Sequence, residues 1–462
     1  LPTLSLRSGA LSAVVLLSLY SKSKQQNSYM KKTLLFIATL LASYVGMAQE
    51  TYHPTAENLK AREQFQDEKF GIFLHWGLYS MMGTTEWIMT NRDINYKEYP
   101  KLAKTFYPSE FDADAWVKAI KAAGAKYITI TTRHHDGFSL FKTATSTYNS
   151  VDGTPFKRDI IKEMADACQR NGIKLHLYYS HLDWGREDYP VGRTGTGTGR
   201  PKEKANWASY YKFMNTQLTE LLTNYGKVGA IWFDGWWDHD SDAKPFDWQL
   251  EEQYALIHKL QPQCLIANNH HHTPFPGEDI QIFERDLPGE NKAGLSGQSI
   301  GRLPLESCQT INEHWGYNIT DTLYKSPKEL IQMLVRAAGK NANLLLNIGP
   351  EPGGALPELA LNRLQAIGKW LNQYGETIYG TRGGIIAPHE WGVSTQRGNK
   401  LYIHILNCMD SSLFIPTGNH KIKSATVFGT NKRVNFTKTG NGITLNLDTI
   451  PTDIDYIVEL TL

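Results

Sequence analysis

Between residues 70 and 348, short β-branched and aromatic runs alternate with stretches of helical periodicity. No other feature of the chain constrains its fold as tightly. The strand-like runs lie at 70–75, 127–132, 174–180, 230–234, 264–268, 279–284, 307–311 and 343–348. Amphipathic stretches at 113–123, 159–170, 205–225 and 327–338 separate several of them, and Gly124, Gly172, Gly226 and Gly339 follow these stretches as helix stops do. Eight strands with helical crossovers over about 300 residues predict an α/β fold, a (β/α)8 barrel of the TIM type. From about residue 380 the texture changes. Runs at 383–386, 400–406, 424–428, 442–447 and 455–460 alternate apolar and polar residues between polar turns, with no helical pattern among them. They predict a small C-terminal antiparallel β-sandwich. The expected organisation is an upstream segment with a leader at 1–48, the barrel at 49–375 and the sandwich at 376–462. A chain of 462 residues exceeds one typical core, which fits a large domain plus a small one.

The leader is read from Met30-Lys31-Lys32, the apolar run at 34–41 and the small residues before Gln49. A basic start, a short apolar stretch and a small-residue cleavage site make a secretory signal, with cleavage expected after Ala48. The apolar run is short for a bilayer span. No Cys follows it, which disfavours a lipid anchor, so export to the periplasm or medium of a bacterium is expected. Residues 1–29 read as lying upstream of the natural start.

A balance of 48 basic against 46 acidic residues gives no reason to expect nucleic acid or an anionic membrane as partner. Cys168, Cys264, Cys308 and Cys408 are scattered without Cys-x-x-Cys spacing, so no structural zinc site is expected. Disulfides are compatible with export but are not required at this size. His270-His271-His272 resembles a metal tract, yet consecutive histidines after a strand cannot all face one ion, and no carboxylate stands at helical spacing to them. Neither metal nor cofactor is expected. The 12 Trp and 23 Tyr serve a large core or stack on sugar rings.

Polar residues collect at the C-terminal ends of the strand candidates, the edge that carries the site in this fold. His75-Trp76, His134-His135-Asp136-Gly137, Ser180-His181-Leu182-Asp183-Trp184 and Trp232-Phe233-Asp234-Gly235 follow four successive strands. Asp234 is the sharpest candidate: a carboxylate among aromatics is costly to bury unless used or paired, the plain alternative being a helix cap. Glycoside hydrolysis with retention needs a second carboxyl about 5 Å away as acid and base. Glu284 ends a strand candidate and is preferred. Glu306, in Pro304-Leu305-Glu306-Ser307-Cys308, precedes its strand and is the rival. Glu278, Asp286 and Glu290 sit in loops and are expected at the solvated surface.

These motifs resemble glycoside hydrolase family 29, the α-L-fucosidases. The likeness rests on Phe70-Gly71-Ile72-Phe73-Leu74-His75-Trp76-Gly77, Glu86-Trp87, Arg133-His134-His135-Asp136-Gly137-Phe138 and Tyr178-Tyr179-Ser180 with Asp183-Trp184. Ile231-Trp232-Phe233-Asp234-Gly235, Asn312 with Trp315-Gly316-Tyr317, and residues 344–350 extend it. The resemblance implies retention through a covalent fucosyl-enzyme, with Asp234 as nucleophile. It implies fucose contacts at His75, Glu86, Trp87, His134, His135, Tyr178 and Trp232, and a fucosylated oligosaccharide or glycoconjugate as substrate. Relatives differ in where the acid/base lies. Some carry an Arg after the fifth strand, where this chain has Asn268-Asn269-His270, and Arg285 is a candidate replacement. Glu284 is expected above the ordinary carboxyl range, raised by Asp234, with Arg285 pointing elsewhere. The alternatives are a retaining barrel glycosidase for an α-galactoside or β-xyloside, or a catalytically dead carbohydrate-binding barrel.

Overall fold

The run Phe70-Gly71-Ile72-Phe73-Leu74 has no polar member, and every residue of it is buried. Strands apolar on both faces belong to parallel sheets covered on both sides. In the computed structural model, which describes residues 52–430 and 432–462, that run is β1 (Phe70–Leu74) of an eight-stranded parallel sheet. The other strands are β2 (Tyr127–Arg133), β3 (Lys174–Ser180), β4 (Ala230–Asp234), β5 (Leu265–Asn268), β6 (Gln281–Glu284), β7 (Leu305–Thr310) and β8 (Ala342–Ile348). Their order is β5-β4-β3-β2-β1-β8-β7-β6, and a parallel bridge between Ala267 and Ile280 joins the two outer strands. The sheet is thus a nearly closed barrel. The leader, its cleavage point and the segment 1–29 lie outside the described residues.

Helices pack outside the strands where the caps allow. Asp112, Asp159, Asn206 and Ser326 each accept a hydrogen bond from a backbone N–H three residues on. They start α2 (Ala113–Ala122), α3 (Ile160–Asn171), α4 (Trp207–Asn224) and α6 (Pro327–Gly339). Ser326 and Glu329 form a full capping box around Pro327. Three further helices longer than two turns were not expected: α1 (Ala56–Glu68), α5 (Leu250–Leu260) and α7 (Glu358–Tyr374). Helix α1 reaches the barrel through Phe65, which packs on Tyr127, and through Arg62, whose guanidinium pairs with buried Asp279 at 2.5 Å. Asp279 also accepts from Ile266 N and bonds His258, so it anchors the chain ahead of β6 instead of starting that strand. The connections after β5 and β6 contain no helix, leaving an arc of the barrel bare of crossovers among the described residues.

Three of the four glycines behave as expected: Gly124, Gly172 and Gly226 take the left-handed conformation after their helices. Gly339 does not. It is the last residue of α6, and Asn341 supplies the left-handed turn instead. A Cβ at Gly339 would stand 2.4 Å from Val393 Cβ, so the glycine serves the close approach of the second sheet system.

That system has a five-stranded sheet, β13-β16-β11-β10-β9, and a three-stranded sheet, β12-β15-β14. The strands are β9 (Arg382–Gly383), β10 (Gly392–Arg397), β11 (Lys400–Ile405), β12 (Ser412–Ile415), β13 (Ser424–Val427), β14 (Asn435–Thr439), β15 (Gly442–Asn446) and β16 (Tyr456–Thr461). All pairings are antiparallel, and β10, β12 and β14 add to the expected set. Leu401 and Ile403 of one sheet share a core with Leu413, Ile443 and Leu445 of the other, as in a β-sandwich. Gln332 of α6 ties it to the barrel by donating to the carbonyls of Leu406 and Ile454. All four cysteines are free thiols.

Candidate active site

Strand ends deliver the site. Ser180 pairs in register with Asp234, and Glu284 with Cys308, so these positions share the C-terminal rim of the barrel. One cavity there, of about 180 Å³, is lined by His75, Glu86, Trp87, His134, Trp232, Asp234 and Glu284. Tyr178 and His135 border the same carboxylate: the Tyr178 hydroxyl donates to Asp234 Oδ2 at 3.1 Å, and His135 Nε2 lies 3.5 Å from that oxygen. All nine residues singled out in the sequence are therefore brought together.

Asp234 is held from several directions. Its Oδ1 accepts from Gly235 N at 2.8 Å and Trp237 Nε1 at 3.0 Å. Asn269 Nδ2 donates to Glu284 Oε2 at 2.7 Å and reaches Asp234 Oδ1 at 3.4 Å. Two oxygens that share one donor cannot be farther apart than those two contacts laid end to end. That bound holds for the nearest oxygens of the two carboxyl groups. A retaining pair, at about 5–5.5 Å, fits.

The charge states follow from burial and partners. Burial, then the Glu284 charge, push Asp234 up to about 6, against the lowering by Trp237 and Gly235. Glu284 departs from expectation. Burial works to raise it, but the hydrogen bond and charge of His271, 2.9 Å away, together with Asn269 outweigh burial and hold it below its ordinary value. Sequence reasoning weighed Asp234 and did not count this imidazole. Arg285 does point elsewhere, donating to the Glu313 carbonyl at 3.0 Å and lying over the Trp315 ring.

The histidines that face the cavity from β1 and β2 are neutral. Burial above all lowers His75, to about 4, and it takes His134 and His135 well below their ordinary values. Asn347 Nδ2 donates to the Trp315 carbonyl, so its Oδ1 accepts from His75 Nδ1 at 2.7 Å. His75 Nε2 is then an acceptor for a hydroxyl. Trp232 stacks on Tyr178 and stands edge-on to Phe73, while Trp87 stacks on Trp237, giving the cavity aromatic walls. Glu86 accepts from Gly316 N at 2.9 Å, which links the loops after β1 and β7.

Glu306 is not at the rim. It lies within β7, level with Ile282, two residues before the Glu284–Cys308 pair. At a rise of about 3.3 Å per residue this places it roughly 7 Å deeper. Its oxygens accept from Tyr127 Oη at 2.7 Å and Trp232 Nε1 at 2.9 Å, and burial pushes it up to about 7. Glu278 and Asp286 are also buried, contrary to expectation. Glu278 bonds His270 and Tyr254, and Asp286 accepts from Lys292 N and Ala293 N. Loop carboxylates this deep need partners, and each has them. The three histidines diverge: His270 goes to Glu278, His271 to Glu284, and His272 packs against Trp236.

The alpha-L-fucosidase family profile matches residues 39–376 of this chain. The chain belongs to the α-L-fucosidase family. Among solved structures it is similar to α-L-fucosidase isoenzyme 1 from Paenibacillus thiaminolyticus, 35% identical, covering 88% of this chain and 100% of that one at a TM-score of 0.78. A family 29 enzyme from Bacteroides thetaiotaomicron, trapped as a covalent intermediate with 2-fluoro-fucosyl fluoride, is 27% identical, with coverage of 90% and 98% and a TM-score of 0.76. The plasma α-L-fucosidase of Rattus norvegicus is 30% identical over 80% of this chain and 83% of that protein. As a member of the α-L-fucosidase family the chain is a glycoside hydrolase, and its substrates are fucosylated glycans. No helix among the described residues is long and apolar enough to cross a membrane.

Sequence reasoning missed Asn269 as a cavity residue and left open which of His270, His271 and His272 would meet substrate; His271 lines the cavity. Nothing in their spacing marks them, because a loop turn aims them. Arg193, Trp237, Leu295, Cys308 and Trp315 complete the lining.

Proposed function

We propose that this chain hydrolyses terminal α-L-fucosides with retention, with Asp234 as nucleophile and Glu284 as acid and base. The observation that carries the assignment is the single Asn269 amide nitrogen reaching both carboxylates. In the first step Asp234 attacks C1 while Glu284 protonates the departing oxygen; in the second, Glu284 takes a proton from the water that releases fucose. Donors from Trp237 and Gly235 fix Asp234 without neutralising it. His75, His134 and His135, uncharged, and Glu86 hold sugar hydroxyls, and the walls at Phe73, Trp87 and Trp232 receive the apolar edge of a 6-deoxy sugar.

The test compares phenyl and 2,4-dinitrophenyl α-L-fucosides. Asp234→Gly should lose nearly all turnover on both and be partly rescued by azide to a product of inverted configuration. In Glu284→Ala, kcat/KM should fall steeply on the phenyl substrate only, while turnover of the dinitrophenyl substrate stalls at the glycosyl-enzyme and azide releases it as a product of retained configuration. Glu306→Gln should weaken both substrates alike, because Glu306 acts through Trp232 and not on the leaving group. A leaving-group-dependent loss in Glu306→Gln, with Glu284→Ala lacking one, would reverse the assignment.

We further propose export, supported by Met30-Lys31-Lys32 and the apolar run after it. N-terminal sequencing of the protein from its native host should begin at Gln49. A mature chain that retains Met30 contradicts this.

A further inference from the structure

One titratable side chain in the cavity has no part in the two-carboxyl reading. His271 stands in the loop after β5 with its backbone at φ 64, in the left-handed region. Such a conformation costs energy for a residue with a side chain, and it persists where the surroundings impose it. Here it turns the imidazole into the cavity, away from the directions taken by His270 and His272. Nε2 comes within 2.9 Å of Glu284 Oε2, the oxygen that Asn269 also holds.

The charges around this pair are unequal. Glu284 faces Asp234 from β4, His75 from β1 and Cys308 from β7, with Arg285 next to it in the chain but directed at Glu313. His271 faces Glu284 and Asp234, with Arg193 as the opposing cation and His272 beside it. Arg193 is engaged with Asp240 and the face of Trp237. Two carboxylates near one imidazole therefore favour a proton there. Burial lowers His271, but the Glu284 hydrogen bond and the charges of Glu284 and Asp234 reverse this and raise it above its ordinary value.

We propose that His271 is the positioning residue that keeps the acid proton in the cavity: His271 and Glu284 share one proton, and its loss from the pair sets the upper pH limit of the enzyme. This rests on the reading of Glu284 as acid and base. In the resting enzyme the proton sits on Nε2 against an ionised carboxyl. A bound glycoside displaces water, and an ion pair without solvent gives way to neutral imidazole beside carboxylic acid. The shift is one proton along one hydrogen bond. As Asp234 bonds C1 and the C1–O bond to the leaving group breaks, Glu284 gives that proton to the departing oxygen. When water bonds C1 and the Asp234 ester breaks, the water's proton returns to Glu284. Each cycle restores the pair. A lone Glu284 holds its proton only over the range that burial and its remaining partners leave a carboxyl, whereas the pair holds one into the imidazole range, and the macroscopic pKa belongs to both groups.

The experiment records kcat/KM against pH for the wild type, His271→Gln, His271→Asn and Glu284→Ala on phenyl and dinitrophenyl α-L-fucosides. kcat/KM reports the free enzyme's essential groups. On the phenyl substrate the upper limb of both His271 variants should move down by about one pH unit or more, so the loss grows roughly tenfold for each unit of pH above it. On the dinitrophenyl substrate, which leaves without a proton, the limb should stay. Independently, imidazole ¹⁵N resonances should show His271 titrating lower in Glu284→Gln than in the wild type. An unmoved phenyl limb, a loss equal at every pH, or an unchanged His271 titration overturns the proposal. If Glu284→Ala itself shows no preference between leaving groups, the underlying acid/base reading falls; if it does and the His271 limbs stay fixed, only the role of His271 falls.

Discussion

Asp234 gains its chemistry from the groups that hold it. The main chain and Trp237 donate to one oxygen, Tyr178 to the other, and burial beside Glu284 lifts its pKa to about 6. A nucleophile must be ionised, so kcat/KM on the dinitrophenyl substrate should fall as pH drops through about 6. Glu284→Gln removes the second largest cause of that elevation, and the lower limb should then move to lower pH. A limb that stays or rises in this variant contradicts the coupling. Asp234, His75 and the His134–His135 pair were legible in the sequence because strand ends place them, and strand ends follow from hydrophobic pattern. The state of Glu284 was not. It is decided by His271, thirteen residues back and across a loop, and no sequence spacing encodes that meeting.

At the scale of elements, a cap ahead of an amphipathic run marks the helices that could be foreseen; α1 is capped too, by Thr55, but buries only Asn58 and Phe65 and so shows no apolar face. Asp112, Asp159, Asn206 and Ser326 precede amphipathic runs and close their first turns. Helix α5 begins after Gln249, which makes no side-chain cap, and α7 after Pro357, so both lack that signal. The strand expected from residue 307 leaves Glu306 before it, whereas β7 starts at Leu305, directly after Pro304. The two walls of the cavity also differ as elements. The loop from His134 to Phe141 is buried throughout except at Gly137, whose left-handed turn lies against Asp183. The connection 285–304 is largely exposed from Gly289 onward and has no helix behind it. Amide hydrogen exchange in 289–303 should therefore run at least about tenfold faster than in 134–141, and equal protection would refute the contrast.

Across the whole molecule, α6 is shared property. Its outer face carries the sandwich through Gln332, and its last residue, Gly339, lets Val393 approach the barrel. Gly339→Val would force side chains together there, at a cost of about 1–3 kcal/mol. The variant should melt at a lower temperature yet keep its kcat/KM well below the transition. A loss of activity without loss of stability would mean that the sandwich acts on the cavity and not merely on the fold. The barrel and the sandwich were foreseeable because periods of 3.6 and 2 differ; β14 was missed because it buries too little to show alternation, β10 because its buried residues include Gly, Ser and Thr, and β12 because it has only four residues. The bare arc after β5 and β6 has a last consequence. Fucose is gripped by buried strand ends, while the connection after β6 reaches the cavity through Leu295 and is exposed just before it, over 291–294. Lengthening or rewriting that segment costs little folding free energy. Linkage preference can therefore drift between descendants of such a chain while the bond-breaking chemistry stays the same.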